Sequence, residues 1–261
     1  MIIPIWQNTG QSSHLLAKQV GAYFSAHTKE SEHQKATHTG TLDPMAEGVL
    51  IVLTNEDRFK KSEYANSKKV YNFNMLIGVA TDSQDLLGLQ TQVHNKEVSV
   101  SEIKSKLKTI LPKFLGTQTQ LQPVFSAQRV NGVSAFDKAK NKEIIVPKQN
   151  KITIFSINLL DTKRIKIDSL YEYITNKVVL ISGDFRQKEV LDNWKLTIDT
   201  LEKSQIKTLV IVQLEATVSK RTYIRSLVKD IGAQLQLPVT TQHIIRTQNA
   251  GYQREDCKIL E

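Results

Sequence analysis

The sequence is poor in the residues that build disulfide frameworks and metal centres. Among its 261 residues, Cys257 is the single cysteine, which excludes a disulfide framework and a zinc–cysteine cluster. The six histidines are scattered, and no two lie three or four residues apart as a helical metal site requires. The sequence has no apolar run near the ~18 residues of a membrane helix and no signal-peptide pattern at its start. We therefore expect a cytoplasmic protein that uses no metal and meets no membrane.

Glycine and proline are also sparse, with 11 and 6 residues, and there is no repeat, low-complexity tract or linker. One domain over residues 1–261 is the expectation. Hydrophobic residues make up 40%, which is enough for a core, while 35 Lys and Arg against 26 Asp and Glu give a net charge of +9. Such an excess favours a polyanionic partner, although composition does not separate nucleic acid from an acidic protein or from simply solvated lysines.

Hydrophobic periodicity predicts interleaved strands and helices. Helices are predicted from Ser12 or Ser13 to Phe24, at 99–111, at 186–203, and from beyond Ser219 to Leu235. Residues 34–48 are predicted as a loop, and strands are predicted at 49–53, 70–79, 151–160, 174–182 and 208–218. Because no regular βαβ rhythm appears, we expect an α+β fold with a mixed or largely antiparallel central sheet flanked by helices.

Two segments carry candidate chemistry. Asp43 lies in a glycine-bounded turn that runs into an apolar strand, so its carboxylate is either held at a surface for reaction or stabilises a turn beside Pro44. Arg225 lies where a strand joins a helix, and it either pairs with a carboxylate or is an exposed helical arginine. The pattern alone favours the structural role for each.

Together with further segments, these residues resemble the TruB family of tRNA pseudouridine synthases in the family's order. The matches are the catalytic loop His38–Pro44 with Gly48, Val49 and Leu50; Lys69, Val70 and Tyr71; Gly78, Thr81, Asp82, Asp85 and Gly88; Pro123, Phe125, Ser126 and Ala127; and Ser219–Arg225 with Asp230 and Gly232. Five ordered matches across roughly residues 10 to 252 make the resemblance specific.

The resemblance implies a pseudouridine synthase fold and the isomerisation of one uridine of the tRNA T-loop, position 55. That reaction breaks the N1–C1′ bond and rejoins the sugar to C5, so no redox cofactor or metal is implied. Asp43 would act on the ribose and Arg225 would keep its carboxylate ionised. Tyr71 would stack on the uracil and is the candidate for removing the C5 proton, with Tyr223 as the second active-site tyrosine. Whether Asp43 forms a covalent adduct or triggers elimination stays open.

The resemblance also implies RNA contacts. The target base must flip out of its loop, and His38 would then support the vacated site while Ile244 packs under the base. Arg129 and Lys220 are further RNA-binding candidates. Lysine-rich clusters at 58–69 and 138–148 either meet phosphates or are solvated faces. The implied partner is the T-arm of tRNA, with a monomer and no obligate protein partner expected.

The sequence departs from the family pattern in several places. Gln7 and Asn8 replace a Lys-Pro pair, and Arg221 replaces a glycine, which predicts a backbone conformation that glycine favours. Residues 161–206 look like an insertion, and 118–150 like an RNA-contacting loop region. The sequence stops at Glu261, so we expect no C-terminal PUA-type domain.

Two rival functions remain. One is a catalytically silent tRNA-binding or folding module, which has no need of Asp43, Tyr71, Tyr223 and Arg225 together, because a carboxylate repels phosphate. The other is a guide-RNA-dependent pseudouridine synthase subunit, which the expected absence of a C-terminal domain disfavours.

Overall fold

The computed structural model describes residues 1–27, 35–126, 129–130, 133–134 and 147–259. The strands are β1 (Ile2–Gln7), β2 (Ala36–His38), β3 (Ala46–Thr54), β4 (Lys69–Ile77), β5 (Val79–Thr81), β6 (Gln90–Val93), β7 (Gly116–Leu121), β8 (Arg129–Val130), β9 (Val133–Ser134), β10 (Gln149–Lys166), β11 (Thr208–Val218) and β12 (Val239–Asn249). The α-helices are α1 (Ser13–His27), α2 (Lys61–Asn66), α3 (Val100–Ile110), α4 (Ile167–Val178), α5 (Gln187–Lys203) and α6 (Ile224–Leu235).

One eight-stranded sheet organises the chain. Its order is β1-β3-β12-β4-β11-β10-β7, with β2 paired to β3 outside this path. Every neighbouring pair is antiparallel except β3 and β12, which run parallel over residues 46–48 and 244–246. The predicted α+β fold with a largely antiparallel sheet is confirmed. β12 is the strand that joins the β1–β3 edge to the rest of the sheet.

Alternation along the strands decides which helices cover which face. In β4, Phe73 and Met75 face a core cluster that includes Ile103 of α3 and Leu227 of α6. Leu76 faces the opposite cluster with residues of α4 and α5, including the fully buried Trp194. Helices therefore pack on both faces of the sheet.

The strand predicted at 174–182 is wrong. Its Ile and Val content suggested a strand, but Ile167, Leu170, Ile174 and Val178 recur every three or four residues, and all four are buried on one side of α4. The helical period therefore outweighs β-branched composition. Residues 179–186 then form a turn and loop before α5.

The remaining predicted elements are confirmed, with shifted ends. The loop predicted at 34–48 contains β2 and the start of β3, so the connection between these strands is residues 39–45. β10 extends beyond 160 and pairs with β11 to its end, so the first residues of the segment 161–206 belong to the sheet. Within the described ranges, no helix is long and apolar enough to cross a membrane.

Candidate active site

Backbone hydrogen bonds hold the Asp43 turn between β2 and β3. The Ala46 N–H donates to the Asp43 carbonyl at 2.9 Å, which closes the turn where β3 begins. From outside the turn, the Gly10 N–H donates to the Pro44 carbonyl, also at 2.9 Å. The turn is thus fixed both by its own strand and by the segment that precedes α1.

Ser13 provides a second support. Its buried hydroxyl accepts from the Leu42 N–H at 3.1 Å and donates to Gln7 Oε1 at 2.6 Å. Ser12 occupies the N-cap position of α1, since its hydroxyl accepts from the Leu15 N–H at 3.4 Å. Sequence reasoning treated the two serines as interchangeable caps and missed that Ser13 steadies the residue before Asp43.

Arg225, near the start of α6, binds the Asp43 carboxylate through two parallel hydrogen bonds. Its Nε donates to Oδ2 and its Nη2 to Oδ1, both at 2.8 Å. The Arg225 side chain is 4% exposed and that of Asp43 is 28% exposed. The structural interpretation of Arg225 as an exposed helical residue is wrong, because this fork geometry fixes the plane of a carboxylate that faces solvent on one side.

The other donors of Arg225 are also used. Nη1 donates to the Ser83 carbonyl at 2.8 Å and Nη2 to the Phe125 carbonyl at 2.9 Å. The buried carboxylate of Asp85 lies 3.6 Å from Nη1 and accepts from the Ser83 hydroxyl and the Leu87 N–H. Burial opposes the charge on Arg225, but Asp43 and Asp85 outweigh it and raise the pKa of Arg225. The guanidinium therefore stays charged.

Asp85 is a site residue to which sequence reasoning gave no role. The signal was present, because Asp85 lies in the Gly78–Gly88 stretch that matches the family. Its carboxylate is a second anion on the same guanidinium, and burial raises the pKa of Asp85 against the opposing effect of Arg225. What the sequence does not show is that this turn folds back onto Arg225, 142 residues away from Ser83.

Tyr223 joins the same centre. Burial raises the pKa of its phenol, and the Asp43 carboxylate adds to the effect. The Gln120 side chain fixes its backbone, accepting from the Tyr223 N–H at 2.8 Å and donating to its carbonyl at 3.1 Å. Two residues earlier, Arg221 has φ of 64°, so the predicted glycine-like conformation is confirmed.

Tyr71 and Ile244 lie beside the turn. Both are buried, and they share an apolar cluster with Leu42 and Ala46, which flank the Asp43–Pro44 pair. Their strands are neighbours, with Tyr71 of β4 opposite Arg246 and Ile244 of β12 opposite Phe73. The structure thus places the two predicted base contacts in one cluster next to the loop.

The residues predicted to contact RNA lie on different elements of the fold. His38 ends β2 and lines the same cleft as Asp43, and burial, with Lys61 next, lowers its pKa to about 4. Lys220 is exposed, and its Nζ donates to Asn66 Oδ1 at 2.6 Å. The side chain of Arg129 lies outside the described residues, as do Ala127 and the lysines at 138, 140 and 142.

Two buried cationic side chains, Lys69 and Arg246, lie together next to Gly40 of the loop, and we call this pair the Lys69–Arg246 corner. The guanidinium of buried Arg246 donates from Nε to the Val49 carbonyl at 2.8 Å and from Nη2 to the Gly40 carbonyl at 3.2 Å. Lys69, 6% exposed, donates to two carbonyls near the end of α2. Burial first, and Arg246 next, lower the pKa of Lys69 to about 8. Within the described ranges, neither cation has a carboxylate within ion-pair distance.

A cleft of about 870 Å³ opens in front of Asp43. Residues 9–16 form one wall, and the cleft is also lined by Phe125, Arg225 and, from the segment before α5, Leu180, Ser182, Gly183, Phe185 and Arg186. This volume is within the range of small-molecule sites and admits a nucleotide. In the described part of the chain, no three His, Cys, Asp or Glu side chains are grouped to hold a metal. The arrangement offers an oriented carboxylate at the edge of a cleft, which can attack an electrophilic carbon or take a proton.

Comparison with known proteins places this geometry in context. The family profile described as "TruB family pseudouridylate synthase (N terminal domain)" matches residues 28–177. The tRNA pseudouridine synthase B of Clostridium perfringens is 30% identical over 260 residues, which cover all of this chain and 70% of that protein. The enzyme of the same name from Listeria monocytogenes is 30% identical over 261 residues, covering 99% of this chain and 69% of its own length.

A solved structure agrees in fold. The crystal structure of a Cbf5-Nop10-Gar1 complex contains a chain that superposes with a TM-score of 0.53 at 18% identity. The match covers 95% of this chain and 48% of that one, so this chain spans about half of its length. At this identity the likeness shows the fold alone.

Proposed function

The chain belongs to the TruB family of pseudouridylate synthases, and from this membership we propose that it isomerises uridine 55 in the T-loop of tRNA to pseudouridine. Two relatives that align with 99% or more of this chain are named tRNA pseudouridine synthase B, which supports uridine isomerisation in tRNA. The observation that carries the proposal is the fork between Arg225 and Asp43 at the cleft. It presents an oriented carboxylate to a flipped-out nucleotide.

In the proposed mechanism, Asp43 acts on the ribose of the flipped uridine and the N1–C1′ bond breaks. The detached uracil turns so that C5 meets C1′, a C5–C1′ bond forms, and the C5 proton is lost while N1 gains one. All atoms of the substrate are retained, so the step needs no oxidant, reductant or second substrate. Arg225 fixes the plane of the Asp43 carboxylate throughout, because it binds both carboxylate oxygens.

The roles of the two tyrosines follow from their surroundings. Tyr71 lies in the apolar cluster with Leu42 and Ile244, which suits a ring that stacks on uracil and an aliphatic side chain beneath the base. Tyr223 sits in the field of Asp43, and its pKa is raised, so its phenol stays protonated and can donate a hydrogen bond. Of the two, Tyr71 is the better candidate to accept the C5 proton.

Of the residues proposed to contact RNA through polar groups, His38 lines the cleft. His38 is neutral at pH 7, since its pKa is lowered to about 4, and a neutral imidazole can stack or donate where a base has left the T-loop. Lys220 and Arg129 would meet phosphates. The T-arm as recognition element, like the roles of these residues, is part of this proposal.

The test uses an unmodified tRNA transcript without guide RNA, and pseudouridine is mapped after incubation. We expect product at position 55 from the intact protein and none detectable from Asp43→Asn, which keeps the size of the side chain but removes its charge. Asp161→Asn, an exposed carboxylate on β10, is the control and should match the intact protein.

Each rival function gives a different result. A silent binding module would bind the transcript without forming product. A guide-dependent subunit would form product only when a guide RNA is added. Equal product from Asp43→Asn and the intact protein would remove Asp43 from the mechanism.

A further inference from the structure

Arg186 stands where the cleft wall meets α5. It lines the cleft with Asp43, and its φ of 60° places it in the left-handed region immediately before the helix. Its carbonyl accepts from the Val190 N–H at 2.9 Å, so its backbone is tied to the first turn of α5. A non-glycine residue held in this conformation at a site is strained by the surrounding structure.

Its guanidinium bridges two other segments. Nη1 donates to Asp82 Oδ2 at 3.0 Å and Nη2 to Asp82 Oδ1 at 3.4 Å. The guanidinium carbon lies 4.7 Å from the centroid of the Phe125 ring, and the side chain is 14% exposed. One side chain therefore pairs with the turn that follows β5 and stacks on the segment that follows β7.

These two segments are the ones that hold Arg225. Besides the Asp43 carboxylate, Arg225 donates to two backbone carbonyls. One belongs to Ser83, next to Asp82, and the other to Phe125 itself. A shift of either segment would move an acceptor of Arg225 and turn the guanidinium that orients Asp43. Arg186 is therefore linked to the Asp43 carboxylate through two segments, the turn that follows β5 and the segment that follows β7.

α5 holds the same turn at two further points. The indole N–H of buried Trp194 donates to the Leu86 carbonyl at 3.0 Å, and Asn193 Oδ1 accepts from the Gln90 N–H at 2.6 Å. Asn193 and Trp194 of α5 therefore hold the segment between Leu86 and Gln90, and Arg186 holds Asp82, next to the Ser83 carbonyl that accepts from Arg225. A site supported by a packed helix is held more precisely than one supported by a loop.

We propose that Arg186 is a positioning residue for the reaction: by pairing with Asp82 and stacking on Phe125, it sets the two carbonyls that orient Arg225 and hence the Asp43 carboxylate. The inference rests on the proposed function. It assigns a catalytic support to the 161–206 segment, to which sequence reasoning gave no purpose.

The experiment compares Arg186→Gln, Arg186→Lys and Arg164→Gln. Arg164 is the matched control, because it also pairs with a carboxylate, Glu97, but on β10 away from the cleft. For Arg186→Gln we expect the single-turnover rate constant at saturating tRNA to fall about 10- to 100-fold, as for a misplaced reacting group. KM should change less than about 3-fold, because orientation rather than binding is lost.

Two further readouts separate positioning from general support of the fold. Arg186→Lys restores the charge opposite Asp82 without the planar stack on Phe125 and should recover part of the rate. In the double variant Asp82→Asn with Arg186→Gln, the increase in activation free energy should be smaller than the sum of the increases in the two single variants. Arg164→Gln should leave the rate, KM and the unfolding midpoint close to those of the intact protein.

A readout that does not depend on activity is the NMR signal of the Arg225 Nε–H. It should shift in Arg186→Gln and stay in place in Arg164→Gln. An unchanged signal with an unchanged rate would overturn the inference, and so would a raised KM with an unchanged rate, which would make Arg186 a direct RNA contact. If the intact protein forms no pseudouridine, the proposed function fails, while the NMR comparison still decides the link between Arg186 and Arg225.

Discussion

Two corners that each contain a buried cationic side chain border the Asp43 loop, and they differ in what surrounds the cation. At Arg225 every charge has a partner of opposite sign, with Asp43 in a fork and Asp85 at 3.6 Å. At Lys69 and Arg246 the cations are equally buried, but they are bonded to backbone carbonyls, and the described residues place no carboxylate beside them.

The difference matters because burying a charge is costly unless an opposite charge compensates it. At the Arg225 corner the carboxylates compensate the cation, and the fork fixes the plane of the Asp43 carboxylate. The Lys69–Arg246 corner carries a net positive charge next to exposed Gly40, where an added Cβ would lie 3.8 Å from both side chains. Removing a cation should therefore have opposite consequences for folding at the two corners.

The largest effect is expected from Arg225→Met. It removes the fork from Asp43 and leaves the buried Asp85 carboxylate without its cation, so the free energy of unfolding should fall by about 3 kcal/mol. The rate of pseudouridine formation should fall on the order of 10³-fold. Urea denaturation and single-turnover assays measure the two effects. Arg225→Lys keeps a charge without the fork and should recover more stability than activity; equal recovery of both would contradict the orienting role.

A smaller effect of opposite sign is expected from Lys69→Met. The change removes an uncompensated cation while keeping an apolar stem, so the free energy of unfolding should stay level or rise by about 1 kcal/mol. Lys68→Met changes the exposed neighbour and should leave stability within about 0.5 kcal/mol. A loss of 2 kcal/mol or more in Lys69→Met, measured in urea, would mean that this corner is compensated after all.

The last prediction concerns pH. His38 adjoins the Lys69–Arg246 corner, and its folded pKa of about 4 lies below the ordinary 6.5, so the unfolded chain binds more protons between these values. Stability from this group is therefore complete above pH 6.5 and is lost as pH falls toward 4. His38→Gln should flatten the fall of the urea midpoint between pH 7 and pH 4.5. His94→Gln is the control and should leave the slope unchanged; a slope that His38→Gln does not alter would contradict the lowered pKa.

Sequence reasoning identified the residues of the site more fully than the contacts between them. Periodicity located β4 and α5, and the family pattern located Asp43, Tyr223 and Arg225, because these signals are local in the chain. The pairing of Asp43 with Arg225 across 182 residues followed from the family resemblance, whereas the carbonyls that hold Arg225 come from positions whose side chains give no indication of it. Backbone acceptors leave no trace in the amino-acid sequence.

The error at 174–182 has a similar origin. A short run of Ile and Val fits either a strand or a buried helix. The helical spacing of the buried residues of α4 becomes clear only when the pattern is followed from Ile167 onward. The uncompensated corner was also not predicted. The sequence does not show that Lys69 and Arg246 are buried side by side, since this depends on β12 lying beside β4.

The position of β12 has a consequence for how the enzyme comes into being. β12 lies between β3 and β4, so residues 239–249 complete a sheet whose other strands precede them in the chain. Until that strand has left the ribosome, residues 46–48 of β3, next to the Asp43 loop, have no strand partner on the side of β4, although β2 already pairs with residues 52–54. Such distant pairing slows folding and leaves two unpaired strand edges exposed meanwhile. The nascent chain therefore stays inactive, and depends most on protection from aggregation, until residue 249 has emerged.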